Sequence, residues 1–261
     1  MSDPDELLAL AERLAAEAAE LSLERLHQPR TDVRTKATST DMLSEVDEAC
    51  ERLIVAGIRA ARPDDGILSE EGAAADSTSG VRWVIDPIDG TTNYLYGHPG
   101  YAISIAVERD GDAIAGVVHD PLHGERFTAT RGGGARRNGE PIGVSAETEP
   151  GSALVATGFG YTPEGRTRQA EALARLIGSI RDIRRMGAAA VDLCSVACGR
   201  VDAFFERGLN HWDLAAGELI AIEAGAIVSS IEGGPPRSGS VLAAPPALHE
   251  PLLALLAGAR A

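Results

Sequence analysis

Cysteine is scarce in this sequence: Cys50, Cys194 and Cys198 are the only three in 261 residues. So few thiols, so unevenly spaced, exclude a disulfide framework and a thiolate zinc site, and they point to a reducing compartment. Cys194 and Cys198 stand one helical turn apart in an apolar segment, the setting of small core residues. Basic charge is scarce too, with 24 Lys and Arg against 39 Asp and Glu and a net charge of −15. Binding nucleic acid needs a basic face, so no nucleic-acid partner is expected; a small anionic substrate is not excluded. No apolar run approaches the ~18 residues of a membrane span, so no membrane partner is expected. Met1 to Glu6 is acidic and lacks the basic start and apolar stretch of a secretory signal, and the expected location is cytoplasmic.

Several catalytic patterns are also missing. Of the six histidines, His119 and His123 stand four apart, but Pro121 between them defeats a helical His-x-x-x-His metal pair. There is no Gly-x-Ser-x-Gly elbow, and Gly132-Gly133-Gly134 is not followed by Gly-Lys-Ser/Thr, so it reads as turn chemistry and not as a P-loop. No internal repeat or low-complexity tail appears. Carboxylates are left as the well-supported catalytic inventory.

They gather first in Trp83-Val84-Ile85-Asp86-Pro87-Ile88-Asp89-Gly90-Thr91-Thr92-Asn93-Tyr94. A β-branched run meets two acids three positions apart, then Gly90 permits a tight turn and Thr91, Thr92 and Asn93 offer helix-capping oxygens. Strand, acidic turn and helix start follow, with free N–H groups around Gly90 and Thr91 suited to phosphate. Two carboxylates beside an anion would repel it. Divalent cations between them resolve the conflict, with Asp86 and Asp89 as hard oxygen ligands for Mg²⁺.

Elsewhere the periodicity predicts an amphipathic helix over Leu7 to Leu26, a polar loop or hairpin over Gln28 to Thr40 containing Lys36, and a second helix from Asp41 to Ala61. On spacing alone Asp47 is an exposed helical acid. Ile67-Leu68-Ser69-Glu70-Glu71-Gly72 ends a short strand in two acids, of which at most one faces a given site. Ala73 to Gly80 reads as a mobile linker. Strands are expected at Tyr101 to Val107, Ala113 to His119 and Glu125 to Thr130, with hairpin signals at Arg109 to Asp112 and at Asn138-Gly139.

The composition breaks at Thr148 to Gly151, which divides the chain into an N-terminal α+β domain (1–149) and a C-terminal α/β domain (150–261). The second part alternates: strand Ala153 to Thr157, a Gly158-Phe159-Gly160 turn, helix Pro163 to Gly178, strand Asp182 to Arg185, helix Ala188 to Gly199. Strand Ala203 to Glu206, helix Asp213 to Ala224, strand Ala226 to Ile231 and a last helix from His249 to Ala257 complete it, an α/β layered pattern. Asp213 falls in the first turn of its helix, where an Asp is commonly a cap or a partner of the helix dipole.

Ser69-Glu70-Glu71, Asp86-Pro87-Ile88-Asp89-Gly90-Thr91-Thr92-Asn93 and Trp212-Asp213-Leu214-Ala215-Ala216-Gly217 with Glu223-Ala224-Gly225 together resemble the inositol monophosphatase family in order and spacing, from about Lys36 to Val241. The resemblance implies an α/β fold, the layered αβαβα sandwich of the inositol monophosphatase and fructose-1,6-bisphosphatase type, with the site between the halves. It implies Mg²⁺ held by Glu70, Asp86 and the carbonyl of Ile88, a second Mg²⁺ held by Asp86, Asp89 and Asp213, and a third, weaker ion near Glu70. Thr91 and Glu70 would orient the attacking water, Asp47 would bond the Thr91 hydroxyl, and the N–H groups of Gly90 and Thr91 would hold phosphate. Glu206 aligns with a carboxylate that accepts sugar-alcohol hydroxyls, Ala189 with a backbone contact, and Lys36 with a lysine near the metal loop. Ser69, Tyr94 and Ala226 depart from the usual Gly, Phe and Gly without removing a ligand.

The implied activity is Mg²⁺-dependent hydrolysis of myo-inositol monophosphate or a related polyol phosphate, sensitive to Li⁺, by a homodimer. Histidinol phosphate is the alternative substrate. A regulatory binding protein keeping an acidic pocket is the alternative of another class.

Overall fold

The computed structural model describes residues 3–26, 34–35, 42–236 and 239–258. Two amphipathic helices form the first layer. Helix α1 (Pro4–Leu26) turns Leu7, Ala11, Leu14, Ala18 and Leu26 inward, and α2 (Glu45–Ala61) turns Val46, Cys50, Ile54 and Ile58 inward, as their three-to-four spacing requires. They meet closely at Gly57, where a Cβ would stand 2.2 Å from a Leu14 methyl. Between them, β1 (Arg34–Thr35) and β2 (Met42–Leu43) pair antiparallel, and Lys36 lies outside the described residues.

Helix α2 begins at Glu45 and not at Asp41. Ser44 caps it, its hydroxyl accepting from the N–H groups of Val46 and Asp47, so the preceding residues are left to the short β2 strand.

The large sheet comprises β3 (Gly66–Ser69), β4 (Ala74–Ala75), β5 (Val81–Asp89), β6 (Ala102–Arg109), β7 (Asp112–Asp120), β8 (Glu125–Thr130), β9 (Gly134–Arg137) and β10 (Glu140–Pro141). Their order is β10-β9-β8-β7-β6-β5-β3-β4, antiparallel throughout except for β3 against β5. The β6–β7 and β9–β10 turns place Asp110 and Asn138, each followed by glycine, at positive φ, as the hairpin signals required. Ala73 to Gly80 is ordered, contrary to its reading as a mobile linker. It carries edge strand β4, and Ser79 and Thr78 bond back to the Asp64–Asp65 turn.

Helix α3 (Thr91–Tyr96) joins β5 to β6. The second half supplies β11 (Leu154–Thr157), α4 (Pro163–Leu176), β12 (Asp182–Arg184), α5 (Ala189–Ala197), β13 (Ala203–Arg207), α6 (His211–Glu223), β14 (Ile227–Ser229), β15 (Ser240–Ala244) and α7 (Pro246–Gly258). These strands order as β12-β11-β13-β15-β14, with β11 parallel to both its neighbours and β15 antiparallel to both of its own. The sequence reading missed β15: its five residues are all buried, so no polar alternation marks it. The last helix also starts earlier than expected, with Pro246 in its first turn.

Alternation along β5 shows how the layers stack. Trp83 and Ile85 face the α1/α2 core, whereas Val84 joins Ala106, Val118 and Phe127 on the opposite face, against α5 and α6. On their other side α5 and α6 present Leu193, Val196, Leu214 and Ala221 to Phe204 and Val241 of the second sheet, whose outer face packs Val155, Phe205 and Leu242 against Leu248 and Leu252 of α7. The order is helix, sheet, helix, sheet, helix, the layered α/β architecture expected. Helices α5 and α6 occupy the middle layer, and their N-termini meet the C-terminal end of β5.

Candidate active site

The β-branched run of β5 does not stop at its acids but carries through to Asp89, with a shift in its pairing to β6 between Asp86 and Asp89. Pro87 explains the irregularity, since it has no N–H for the ladder. The next N–H, of Ile88, turns to the Asp86 carboxylate at 3.1 Å. The Ile88 carbonyl instead receives the Thr91 hydroxyl at 3.1 Å. Gly90 then reverses the chain at φ 89°, and a Cβ there would lie 3.0 Å from the Gly100 carbonyl and 3.1 Å from the Ala188 methyl. Glycine is required on both counts.

Thr91 and Asn93 are not caps. The Thr91 hydroxyl also lies 2.9 Å from Oδ1 of Asp47, and the Asn93 amide donates to the carbonyls of Gly100 and Met186, tying the turn to the segment that leads into α5. Asp47, exposed on spacing alone, is fully buried. Ser44 holds its other oxygen through both N–H and hydroxyl. Burial pushes the Asp47 carboxyl up to about 6 against the hydrogen bonds from Ser44 and Thr91, with Glu70 raising it further. Sequence reasoning passed over Ser44, although Ser44-Glu45-Val46-Asp47 has the serine-to-acid spacing of a capping box.

Glu70 continues the parallel pairing of β3 with β5, its N–H donating to the Ile85 carbonyl at 3.1 Å, which sets it beside Asp86. Asp86 is almost wholly buried, and its carboxyl is driven far up, first by burial and then by Glu70, Asp89 and Asp213, with a side-chain hydrogen bond to Glu70. Asp89 accepts the first N–H groups of α5, Ala190 at 2.7 Å and Ala189 at 3.3 Å, so the Ala189 N–H is already engaged. Burial nevertheless raises Asp89 to about 7, with Glu70 and Glu206 adding to it.

Asp213 sits in the first turn of α6, where Oδ2 accepts the Asn210 N–H at 2.6 Å. Glu206, at the end of β13, is raised to about 8 by burial, opposed by Arg185 and assisted by Asp213. Its carboxylate lies against Gly158, where a Cβ would be 2.0 Å from Oε2, so the Gly158-Phe159-Gly160 turn is shaped around it. Asp192 of α5 joins this neighbourhood, fully buried and influenced by Glu206 and Asp89. No sequence signal distinguished it from an ordinary helical acid.

The structure thus brings Glu70, Asp86, Asp89, Glu206 and Asp213 into mutual electrostatic range, with Asp47 and Thr91 at the edge. Among the described residues no three such side chains close round a point as a finished cation cage. The donor set nonetheless fits a hard divalent cation: Glu70, Asp89 and Asp213 all press the buried Asp86 carboxyl up by charge repulsion, and a cation among them relieves that repulsion.

A five-layered α/β protein whose acids cluster where a strand end meets two helix N-termini belongs to a recognisable class, and comparison places it. Residues 3–260 match the family model described as the inositol monophosphatase family. The chain is 42% identical to the inositol-1-monophosphatase SuhB of Mycobacterium tuberculosis, over 98% of this chain and 94% of that protein. It is 40% identical to the Nus factor SuhB of Escherichia coli K12, over 95% and 94%. Its structure resembles the extragenic suppressor protein suhB from Bartonella henselae with a TM-score of 0.92, 35% identity and coverage of 96% and 98%. An IMPase of Thermotoga maritima follows at 0.90, 31% identity and 98% of each chain. The chain belongs to the inositol monophosphatase family. It is a phosphatase that hydrolyses phosphate monoesters.

Proposed function

We propose that this phosphatase is Mg²⁺-dependent and acts on myo-inositol monophosphate or a closely related small polyol phosphate. The observation that carries the reading is the Asp47–Thr91 pair beside Asp86 and Asp89, whose carboxyls burial and the neighbouring Glu70 drive up. The side chains of Glu70, Asp86, Asp89 and Asp213, with the Ile88 carbonyl, would hold the metal. Bound Mg²⁺ supplies Lewis-acid stabilisation of the charge that develops on the phosphoryl group and the leaving oxygen.

The chain's own residues do the rest. With its proton directed to Asp47 or the Ile88 carbonyl, the Thr91 hydroxyl has lone pairs left to accept a hydrogen bond from water and aim it at phosphorus. Glu70 is the neighbouring group that takes the water proton as the P–O bond to the alcohol breaks. The N–H groups of Gly90 and Thr91, at the start of α3, face the phosphate oxygens. Glu206 accepts hydroxyls of the organic half, and Asp89, Asp213 and the Ala189 backbone border it. Li⁺ inhibition and a homodimer belong to the same reading.

A phosphate-release screen over inositol 1-phosphate, histidinol phosphate, sugar phosphates and nucleotides, with and without Mg²⁺, tests it. Inositol 1-phosphate should give the highest kcat/KM and Asp86→Asn should abolish turnover; metal-independent release, or an active Asp86→Asn variant, would overturn the ligand assignment. A higher kcat/KM for histidinol phosphate moves the substrate to the amine. The Nus factor name of the Escherichia coli relative favours a second reading, binding to a transcription partner, which at this net charge is a protein and not RNA. No release from any substrate would establish that reading as the principal one.

A further inference from the structure

Away from the acidic site, the face of the large sheet that packs on α5 and α6 carries Ala102, Ala106, Val118 and Phe127 with the buried Ser104. Glu108 of β6 lies on that face, in step with Ala102 and Ala106, and is buried at 2% exposure. Each of its oxygens has one partner. Oε2 receives Arg82, its cross-strand neighbour on β5, with Nε at 2.9 Å and Nη2 at 2.5 Å. Oε1 receives Nε2 of His211 at 2.5 Å.

His211 is the first residue of α6, and Asp213 stands two residues on, in the same turn. A helix's first turn is the part most free to fray, because its N–H groups have no intrahelical acceptor. Here it is pinned from both sides: Trp212 packs into the middle core and His211 is tied across to the sheet. The sheet that anchors His211 is the one whose β5 carries Asp86 and Asp89. A buried acid on an apolar face is costly unless fully paired, and an apolar side chain would have packed there more simply.

We propose that Glu108 is a positioning residue for Asp213: through His211 it fixes the first turn of α6 relative to β5, and so the direction in which the Asp213 carboxylate meets Asp86. This rests on the reading of Asp213 as a metal ligand. Arg82 completes the pairing of Glu108 from the neighbouring strand β5, within the sheet itself, so it serves stability and not position.

Direct titration of metal-free protein with Mn²⁺, following free Mn²⁺ by EPR, separates position from stability. Glu108→Gln and His211→Asn should each weaken Mn²⁺ binding about tenfold, the effect expected for groups that orient ligands from outside the metal's own shell. Their effects should not add in the double variant. The kcat at saturating Mg²⁺ should stay within about twofold, since metal occupancy is then restored. Arg82→Gln should lower the melting temperature while leaving Mn²⁺ affinity unchanged. Unchanged Mn²⁺ affinity in Glu108→Gln, or an equal loss in Arg82→Gln, overturns the proposal. If Glu108→Gln does not fold, the half-exposed His211→Asn decides alone. Wild-type protein that takes up no Mn²⁺ overturns the metal reading itself, and this inference with it.

Discussion

Asp47, to which we assign a catalytic role, shows most sharply what a buried acid costs the fold. Its pKa is raised on folding from 3.8 to about 6, chiefly by burial. The sign follows from linkage: an acid that holds its proton more tightly in the folded state favours folding below the unfolded value, and that contribution is lost as pH rises through the folded one. At pH 8 the charged carboxylate is therefore a cost. Asp47→Asn should stabilise the metal-free protein at pH 8 by on the order of 1–3 kcal/mol and hardly at pH 4, read as melting temperatures at the two pH values. The same variant should lose about 100-fold in kcat, because Thr91 no longer has a charged acceptor. An Asp47→Asn protein less stable than wild type at pH 8 would sink the argument. Little of this could be read locally. On spacing alone Asp47 is an exposed helical acid, and Glu70 and Asp213 are ordinary turn and cap acids in their own segments. What joins them is contact between residues far apart in the chain, Thr91 with Asp47 and Glu70 with Asp86, and no local periodicity encodes such contact.

At the scale of elements, legibility tracked regularity. The helices α1 and α2 and the β6–β7 hairpin repeat their patterns long enough to be read. Strand β15 was missed because it is buried on both sides, and the end of β5 because Pro87 and the Asp86-to-Asp89 irregularity break the ladder without ending the strand. The turn after β5 has no freedom to relax. Gly90 is at positive φ, and what a Cβ would meet is the Gly100 carbonyl before β6 and the Gly187 carbonyl and Ala188 before α5. Backbone on two sides cannot swing aside as a side-chain tip can. Gly90→Ala should therefore combine dihedral strain with displacement of both neighbours and lower stability by about 1–3 kcal/mol, measured as a shift in the urea midpoint. Turnover should fall more than stability, since Asp89 and Thr91 flank the shifted residue. Full activity in Gly90→Ala would mean the turn's conformation is not what aligns them.

Taken whole, the molecule stacks five layers so that acids from α2, the β3 end, β5, β13 and α6 converge beneath the N-termini of the middle helices. A net charge of −15 already sets the protein against its own compaction, and the cleft concentrates that repulsion where burial leaves least water to screen it. A divalent cation that binds the folded cleft and not the unfolded chain must then stabilise the fold by mass action, about 2.7 kcal/mol at a hundred times its Kd. Simple screening of surface charge predicts a rise too, but one that NaCl of equal ionic strength reproduces. Melting temperature should accordingly climb with Mg²⁺ beyond the ionic-strength-matched NaCl control and fall back on adding EDTA. In Asp213→Asn only the NaCl-like part should survive. If Mg²⁺ and matched NaCl move the wild-type melting curve equally, the buried acids hold protons and not metal, and their raised pKa values describe the working protein.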